Sequence, residues 1–248
     1  MTAIRGARER ARIEVTAAIK DEARSQLAAE GAAKLSLRAV ARELGMVSSA
    51  LYRYFPSRDE LLTALIVDAY DSVGEAAENA RRTAVAEHSG AAAHLTHWVA
   101  VACAVRRWAL AHPHEYALIY GSPVPGYTAP QHTIEPASRV GLVLVAVVGD
   151  AHREEGLAVA PLPEGLRPEA ERLAADVAPD LPPAVVAPLV AAWSQLFGLI
   201  SFEIFGQFNR VVEAREVFFR HAVEELARTV GLLGGSRGGT GTSDRERR

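Results

Sequence analysis

SLRAVARELGMVSSALYRYFPSRDELL, from Ser36 to Leu62, sets small, apolar and glycine positions at the spacing of a helix-turn-helix. Val40, Ala41 and Leu44 fall on one face of a short helix; Gly45 follows, where a positive φ turns the chain, and Leu51 resumes the apolar pattern. Ala41 is small because a second helix crosses the first close to it, and Met46 is placed to plug the space beneath the turn. The second helix is expected over Ser48 to Tyr54. With Leu51 as its buried centre, steps of about 100° per residue turn Tyr54 and Phe55 toward the core and Ser49, Ala50, Tyr52 and Arg53 outward. That outer face is short, polar and basic, and it suits the major groove, with small side chains near base edges and longer donors near phosphates. On this reading Ser49 and Ala50 approach bases, while Tyr52, Arg53 and Tyr54 reach phosphate. Pro56 ends the helix, and Ser57 caps the next one with Glu60 in the capping-box position. Arg58 stands at that start. The competing reading is an ordinary helical hairpin with solvated charges.

The segment LYRYF and the following RDELL make this stretch similar to the DNA-binding domain of the TetR family of bacterial repressors. The resemblance implies an all-α chain: an N-terminal three-helix head, then a helical-bundle domain for ligand binding and dimerisation. It implies a first helix before Ser36, a recognition helix at Ser48 to Tyr54 and a fourth helix from about Ser57. It also implies that Ser36 and Arg38 open the second helix beside the DNA backbone, that Ser48, Ser49 and Ala50 face bases, and that Tyr52, Tyr54 and Arg58 touch phosphates. Val47 departs from the family pattern, which commonly has Ser or Thr there; the cap is then expected from Ser48.

Composition agrees with a helical regulator. The 248 residues are 49% hydrophobic but only 6% aromatic, so alanine, valine and leucine fill the interior. The formal charge is −3, unevenly spread: residues 1–60 carry 11 Lys+Arg against 8 Asp+Glu, whereas residues 61–236 carry 12 against 20. Basic surface is therefore concentrated on the candidate reading head. The single cysteine, Cys103, cannot form an internal disulfide, and nothing resembles a signal peptide, so a cytoplasmic location is expected. Cys103 reads as a buried thiol, with redox sensing as the alternative.

Four regions are expected: a basic N-terminal arm at residues 1–12, the helix-turn-helix domain at 13–60, a ligand-binding and dimerisation domain at 61–233, and a disordered Gly, Ser, Thr and Arg tail at 234–248. The helix opening at Ser57 keeps its apolar period through Leu61, Leu62, Leu65, Ile66, Ala69 and Val73, far enough to bridge the two domains. Trp98, Val101, Val105 and Trp108 lie on related faces of a later helix that Pro113 closes. Trp108 to Tyr127 resembles the segment that names the WHG group of TetR-type C-terminal domains, with Trp108, His112 and Gly121 matching. Tyr116 and Tyr120 share a helical face, and Tyr127 follows a Pro- and Gly-rich loop that can fold over them. These rings, with Trp98 and Trp108, suit a small apolar ligand; the bland alternative is that they are simply core. His94 and His97, and His112 and His114, have spacings open to metal, but no carboxylate or cysteine sits beside the first pair, so no metal or cofactor is expected.

Pro182 to Phe202 carries no charge and is long enough for a membrane span. Pro188 and Gln195 interrupt it, Glu203 follows and no basic flank orients it, so a buried bundle helix is preferred. In the next helix Phe219, Val223, Leu226, Val230 and Leu233 repeat as the a and d positions of helix-on-helix packing, and Leu189, Trp193, Leu196, Ile200 and Ile204 mark a face of the preceding one. Two such hairpins would make a four-helix homodimer seam, and the family resemblance points the same way. The reading is a dimeric, sequence-specific regulator of double-stranded DNA with a near-palindromic operator, a repressor released by a small apolar ligand, and not an enzyme. Its rivals are a ligand-blind architectural DNA-binding protein and a helical enzyme that carries a helix-turn-helix.

Overall fold

The computed structural model describes residues 2–90, 93–154 and 156–232, with side chains from residue 6 onward. The expected tail at 234–248, Leu233 of the apolar repeat and the Arg5 side chain lie outside the described residues. Among these there is no strand. The α-helices are α1 (Thr2–Glu30), α2 (Leu37–Glu43), α3 (Ser48–Leu51), α4 (Arg58–Glu87), α5 (Ala93–Ala111), α6 (Pro113–Tyr120), α7 (Ile134–Glu154), α8 (Arg167–Val177), α9 (Pro183–Ile204) and α10 (Arg215–Thr229). The chain divides into two compact units. The first comprises Met1–Ala76, Val105–Val140 and Ile200–Gln207, and the second Ala77–Ala104, Gly141–Leu199 and Phe208–Arg248. Four of the five divisions fall inside α4, α5, α7 and α9, and the fifth in the turn after α9.

In the first unit the reading head closes on one apolar cluster. Ile19, Ala23 and Leu27 of α1 meet Leu37, Val40 and Ala41 of α2, Leu51 of α3, Phe55, and Leu61, Leu62, Leu65 and Ile66 of α4. Met46 and Leu44 pack against its edge, as do Leu118, Ile119, Val124 and Tyr127 from α6 and the loop after it. The packing thus runs past residue 60 without a break. Gly45 takes φ +64, and the Met46 amide donates to the Ala41 carbonyl at 2.8 Å, so the turn is the left-handed corner the sequence implied. Ser57 caps α4: its Oγ accepts from the Glu60 amide at 3.1 Å.

The recognition helix is shorter than the expected Ser48 to Tyr54. Regular α-helix ends at Leu51, and Arg53 and Tyr54 continue as turns whose amides bond to the Ala50 and Leu51 carbonyls. Ser48 does not cap the helix either; Val47 is the capping residue and provides no side-chain hydrogen bond. An uncapped start and the nearby Pro56 together confine α3 to little more than one turn. α1 opens at Thr2, so Arg8, Arg10 and Arg12 are exposed on its first turns.

In the second unit Trp98 of α5 is buried and its indole donates to the Val223 carbonyl of α10 at 3.0 Å. Arg81 of α4 pairs with Asp150 of α7, and His94 of α5 lies 3.1 Å from the Glu154 carboxylate of α7. The Ala158 amide donates to the Gly231 carbonyl at 3.1 Å. α9 is, among the described residues, the one helix long and apolar enough to cross a membrane. Its Val185, Val186, Leu189, Ala192, Leu196 and Ile200 are buried within the chain, as a bundle helix requires.

Candidate nucleic-acid interface and effector segment

The head presents the residues expected to meet DNA from two short helices. Ser36 caps α2, its Oγ accepting from the Ala39 amide at 3.4 Å, and Arg38 and Arg42 stand exposed on the turns that follow. Ser49, Tyr52 and Arg53 are exposed around α3, while Ser48, Ala50 and Tyr54 are half-buried. Leu51 holds this face in place from behind, with no exposed surface of its own. Small hydroxyls at the helix start and a cation beyond it make an arrangement that can read base edges and hold phosphate.

Arg58 is placed otherwise. Its Nη2 donates to the Ala32 carbonyl at 2.8 Å and to that of Ala33 at 3.4 Å, and Nη1 pairs with Asp59 at 3.3 Å. These bonds close the turn after α1 against the start of α4, and any phosphate would compete with them. The sequence missed this because the partners are carbonyls of alanines, which carry no side-chain signal.

The Trp108, His112 and Gly121 positions each have a local physical reason. The Trp108 indole donates to Ser72 Oγ of α4 at 2.8 Å, and the His112 ring stacks on it with centroids 5.2 Å apart. His112 is also the residue before α6, and Pro113 takes the first helical position, where a missing amide costs nothing. Gly121 ends α6 with its amide on the Ala117 carbonyl; a Cβ there would stand 2.3 Å from that oxygen, so only glycine fits.

Tyr116 and Tyr120 of α6 do share a face, and the structure adds Tyr70 of α4 and Phe205. Tyr116 and Tyr120 centroids are 5.2 Å apart, Tyr70 meets Tyr120 edge-on at 6.0 Å, and Phe205 lies 6.2 Å from Tyr116. Tyr116 is 0% exposed and its hydroxyl bonds to Ser201 Oγ at 2.8 Å. The Tyr70 hydroxyl donates to the Ile119 carbonyl at 3.3 Å. Burial raises all three phenols. Tyr116 is pushed up to about 12 against the lowering effect of Ser201, Tyr120 is raised further by Tyr70 and Tyr116, and Tyr70 by the charge of Tyr127 as well as by burial. In the same unit Arg106 of α5 forks onto Glu203 of α9 with both bonds at 2.7 Å, the side chains only 13% and 6% exposed. Glu203, at the end of a long uncharged run, was the one sequence hint of this pair.

Two of the expected ligand residues have partners besides the α6 pair. Tyr127 packs on the core of the head, bonds to Thr63 Oγ1 at 2.9 Å and stands close enough to Tyr70 to raise its phenol. Trp98 belongs to the second unit and to its α10 bond. Two open grooves lie on the head side of the first unit: one of about 440 Å³ lined by Tyr54, Phe55, Thr63, Val67 and His132, the other of about 380 Å³ along α1 by Arg12, Ile13 and Lys20. Neither is lined by the tyrosines of α6.

The expected dimer seam also needs correction. Leu189, Leu196, Ile200, Phe219, Val223, Leu226 and Val230 are all buried within the chain, so that stripe packs the protomer itself and offers a partner no surface. Ile204 is half-buried. Trp193 remains 39% exposed, and in the second unit Val190, Val211, Val217 and Phe218 are exposed with it. Helical period identified a buried face correctly but could not say what buries it.

A helix-turn-helix head with a basic, partly polar outer face, followed by an all-helical bundle, defines a DNA-binding regulator. Residues 19–65 match the model of the bacterial regulatory proteins of the tetR family, and residues 98–226 that of the tetracyclin repressor-like C-terminal domain, a coarser description than the WHG group. The HTH-type transcriptional regulator Rv1816 of Mycobacterium tuberculosis is 42% identical over 215 residues, covering 82% of this chain and 86% of the relative; Mb1846 of Mycobacterium bovis matches to the same extent. The crystal structure of a protein described as a regulatory protein, SCO4313, superposes with a TM-score of 0.72 at 34% identity, covering 88% of this chain and 97% of that one. A tetR-family regulatory protein from Rhodococcus RHA1 shares the fold at 17% identity and a TM-score of 0.59, over 88% and 97% of the two chains. The chain belongs to the TetR family of bacterial regulatory proteins, which are transcription regulators and not enzymes.

Proposed function

We propose that this chain is a homodimeric repressor that reads a near-palindromic operator in the cytoplasm and is released by a small, largely apolar ligand. The observation that carries the reading is the α3 face: Ser49, Tyr52 and Arg53 exposed over a closed core, on a head with a net positive balance. One such face spans only a few base pairs, so two copies related by a two-fold axis supply the length that specific binding needs. The exposed Val190, Trp193, Val217 and Phe218 supply apolar surface for that pairing. The ligand belongs with the aromatic cluster of Tyr70, Tyr116, Tyr120 and Phe205, where a guest exchanges ring-on-ring contacts for its own and finds phenol hydroxyls to orient it.

The test is selection from a random duplex library with the full chain, followed by footprinting. Two protected half-sites about one helical turn apart are expected. Failure to enrich any duplex, or a single unpaired half-site, overturns the reading of the head or of the dimer respectively. Native mass spectrometry of the purified protein gives its mass and any retained small molecule. A ligand that leaves operator affinity unchanged would remove the release step.

A further inference from the structure

Val47 breaks a local rule where the recognition helix begins. It is the capping residue of α3, in extended conformation, and makes no side-chain cap bond, although Ser36 and Ser57 cap α2 and α4 in the same head. A hydroxyl or carboxamide at this position would satisfy an orphan amide of the helix start. Valine leaves that amide without a side-chain cap and sets an isopropyl group 69% exposed, more so than any other large apolar side chain described in the head. The side chain has no place in the head's core cluster. A residue that forgoes a cap without an internal contact in return is the signature of a position kept for function.

The N-terminal end of a recognition helix is the part that meets base edges. On the floor of the major groove the one apolar group is the 5-methyl of thymine. We infer that Val47 is a specificity-determining residue that packs its methyl groups against a thymine methyl, next to the bases approached by Ser48 and Ser49. The inference rests on the DNA-binding reading of the head. It explains why the position lacks a polar cap: Ser at 47 would tighten the helix but offer the thymine methyl nothing.

The experiment uses the full chain and the duplex recovered from a random library, with each thymine replaced in turn by deoxyuridine, which lacks only the methyl. At one thymine per half-site the wild type should bind about fourfold more weakly, the effect of losing one buried methyl. Val47→Ala should bind the same deoxyuridine and thymine duplexes equally, and Val47→Thr, which keeps one methyl, should retain part of the difference. 5-Methylcytosine in a C·G pair at that position should improve binding by wild type over unmethylated cytosine and leave Val47→Ala unchanged. Far-UV circular dichroism confirms that the variants keep their helices. Deoxyuridine effects that are the same in wild type and Val47→Ala at every position overturn the inference while leaving the DNA-binding reading intact; a library that yields no duplex overturns both.

Discussion

Nε of Arg24 on α1 lies 3.1 Å from Oε1 of Glu115 on α6, and the same guanidinium holds Asp68 of α4 and Asp21 at 2.7 Å each. Lys20 completes the group on Asp68 at 2.8 Å. One cation thereby joins three helices of the first unit, packed around the head's apolar core. Because the partners are partly exposed, each link is worth little by itself. A double-mutant cycle of Arg24→Gln and Glu115→Gln, measured by urea unfolding, should give a coupling of about 0.5 to 1 kcal/mol at low ionic strength. The coupling should shrink as salt is raised; zero coupling at low salt would remove Glu115 from the network.

Arg58 and Arg53 should separate structure from DNA binding. Arg58→Ala removes charge-assisted bonds to the Ala32 and Ala33 carbonyls and should destabilise the head by about 1.5 to 3 kcal/mol. Its effect on the salt slope of binding should be small. Arg53→Ala, on an exposed side chain, should leave the unfolding midpoint unchanged and flatten the slope of log K against log salt by about 0.9 for each phosphate that the guanidinium neutralises. The reverse pattern would return Arg58 to the phosphate role.

The buried fork of Arg106 and Glu203 predicts strong asymmetry between single and double replacement. Glu203→Ala leaves the guanidinium without its carboxylate and should cost about 3 to 5 kcal/mol. Replacing the pair together, Arg106→Met with Glu203→Leu, should recover most of that loss. Chemical denaturation of both variants decides the matter; equal losses would mean the remaining surroundings of Arg106, not the pair, set the cost.

Charge placed on α9 or α10 should act differently by position. Trp193→Glu adds a carboxylate to an exposed apolar face and should yield folded protomers with a lowered sedimentation coefficient. Leu226→Glu puts one into the protomer's own core and should unfold it, at a cost of several kcal/mol. A Trp193→Glu protein with unchanged assembly would show that this face is not the seam.

The tyrosine cluster makes stability fall in alkali. The folded-state value of Tyr116 is about 12 against an ordinary value of 10.0, so its contribution is whole below pH 10 and is lost as the pH rises toward 12. Tyr70 and Tyr120 shift in the same direction and add to the slope. Tyr116→Phe should lose about 1 kcal/mol at pH 8 with the Ser201 bond, and its stability should then decline less steeply above pH 10 than that of wild type. Parallel decline would show that other groups carry the alkaline loss.

What the sequence by itself determined is what neighbouring residues determine. Gly45 between Ala41 and Leu51, Ser57 before Glu60, and Pro113 after His112 act over one or two turns of chain, where φ, capping and helical period leave one solution. The helix-turn-helix, the order of the helices and the family were legible from them. The tertiary structure decided which distant groups meet, since no periodicity links Arg106 to Glu203, 97 residues on, or Arg24 to Glu115, 91 residues on. It also decided what covers an apolar stripe: Phe219, Val223, Leu226 and Val230 have the same spacing whether they pack on their own chain or on a copy, and only their burial within the chain distinguishes the two. The same held for Tyr127, whose ring is as apolar against the head's core as it would be against a ligand, and whose place was set by a hydroxyl bond to Thr63 that a one-dimensional pattern does not contain.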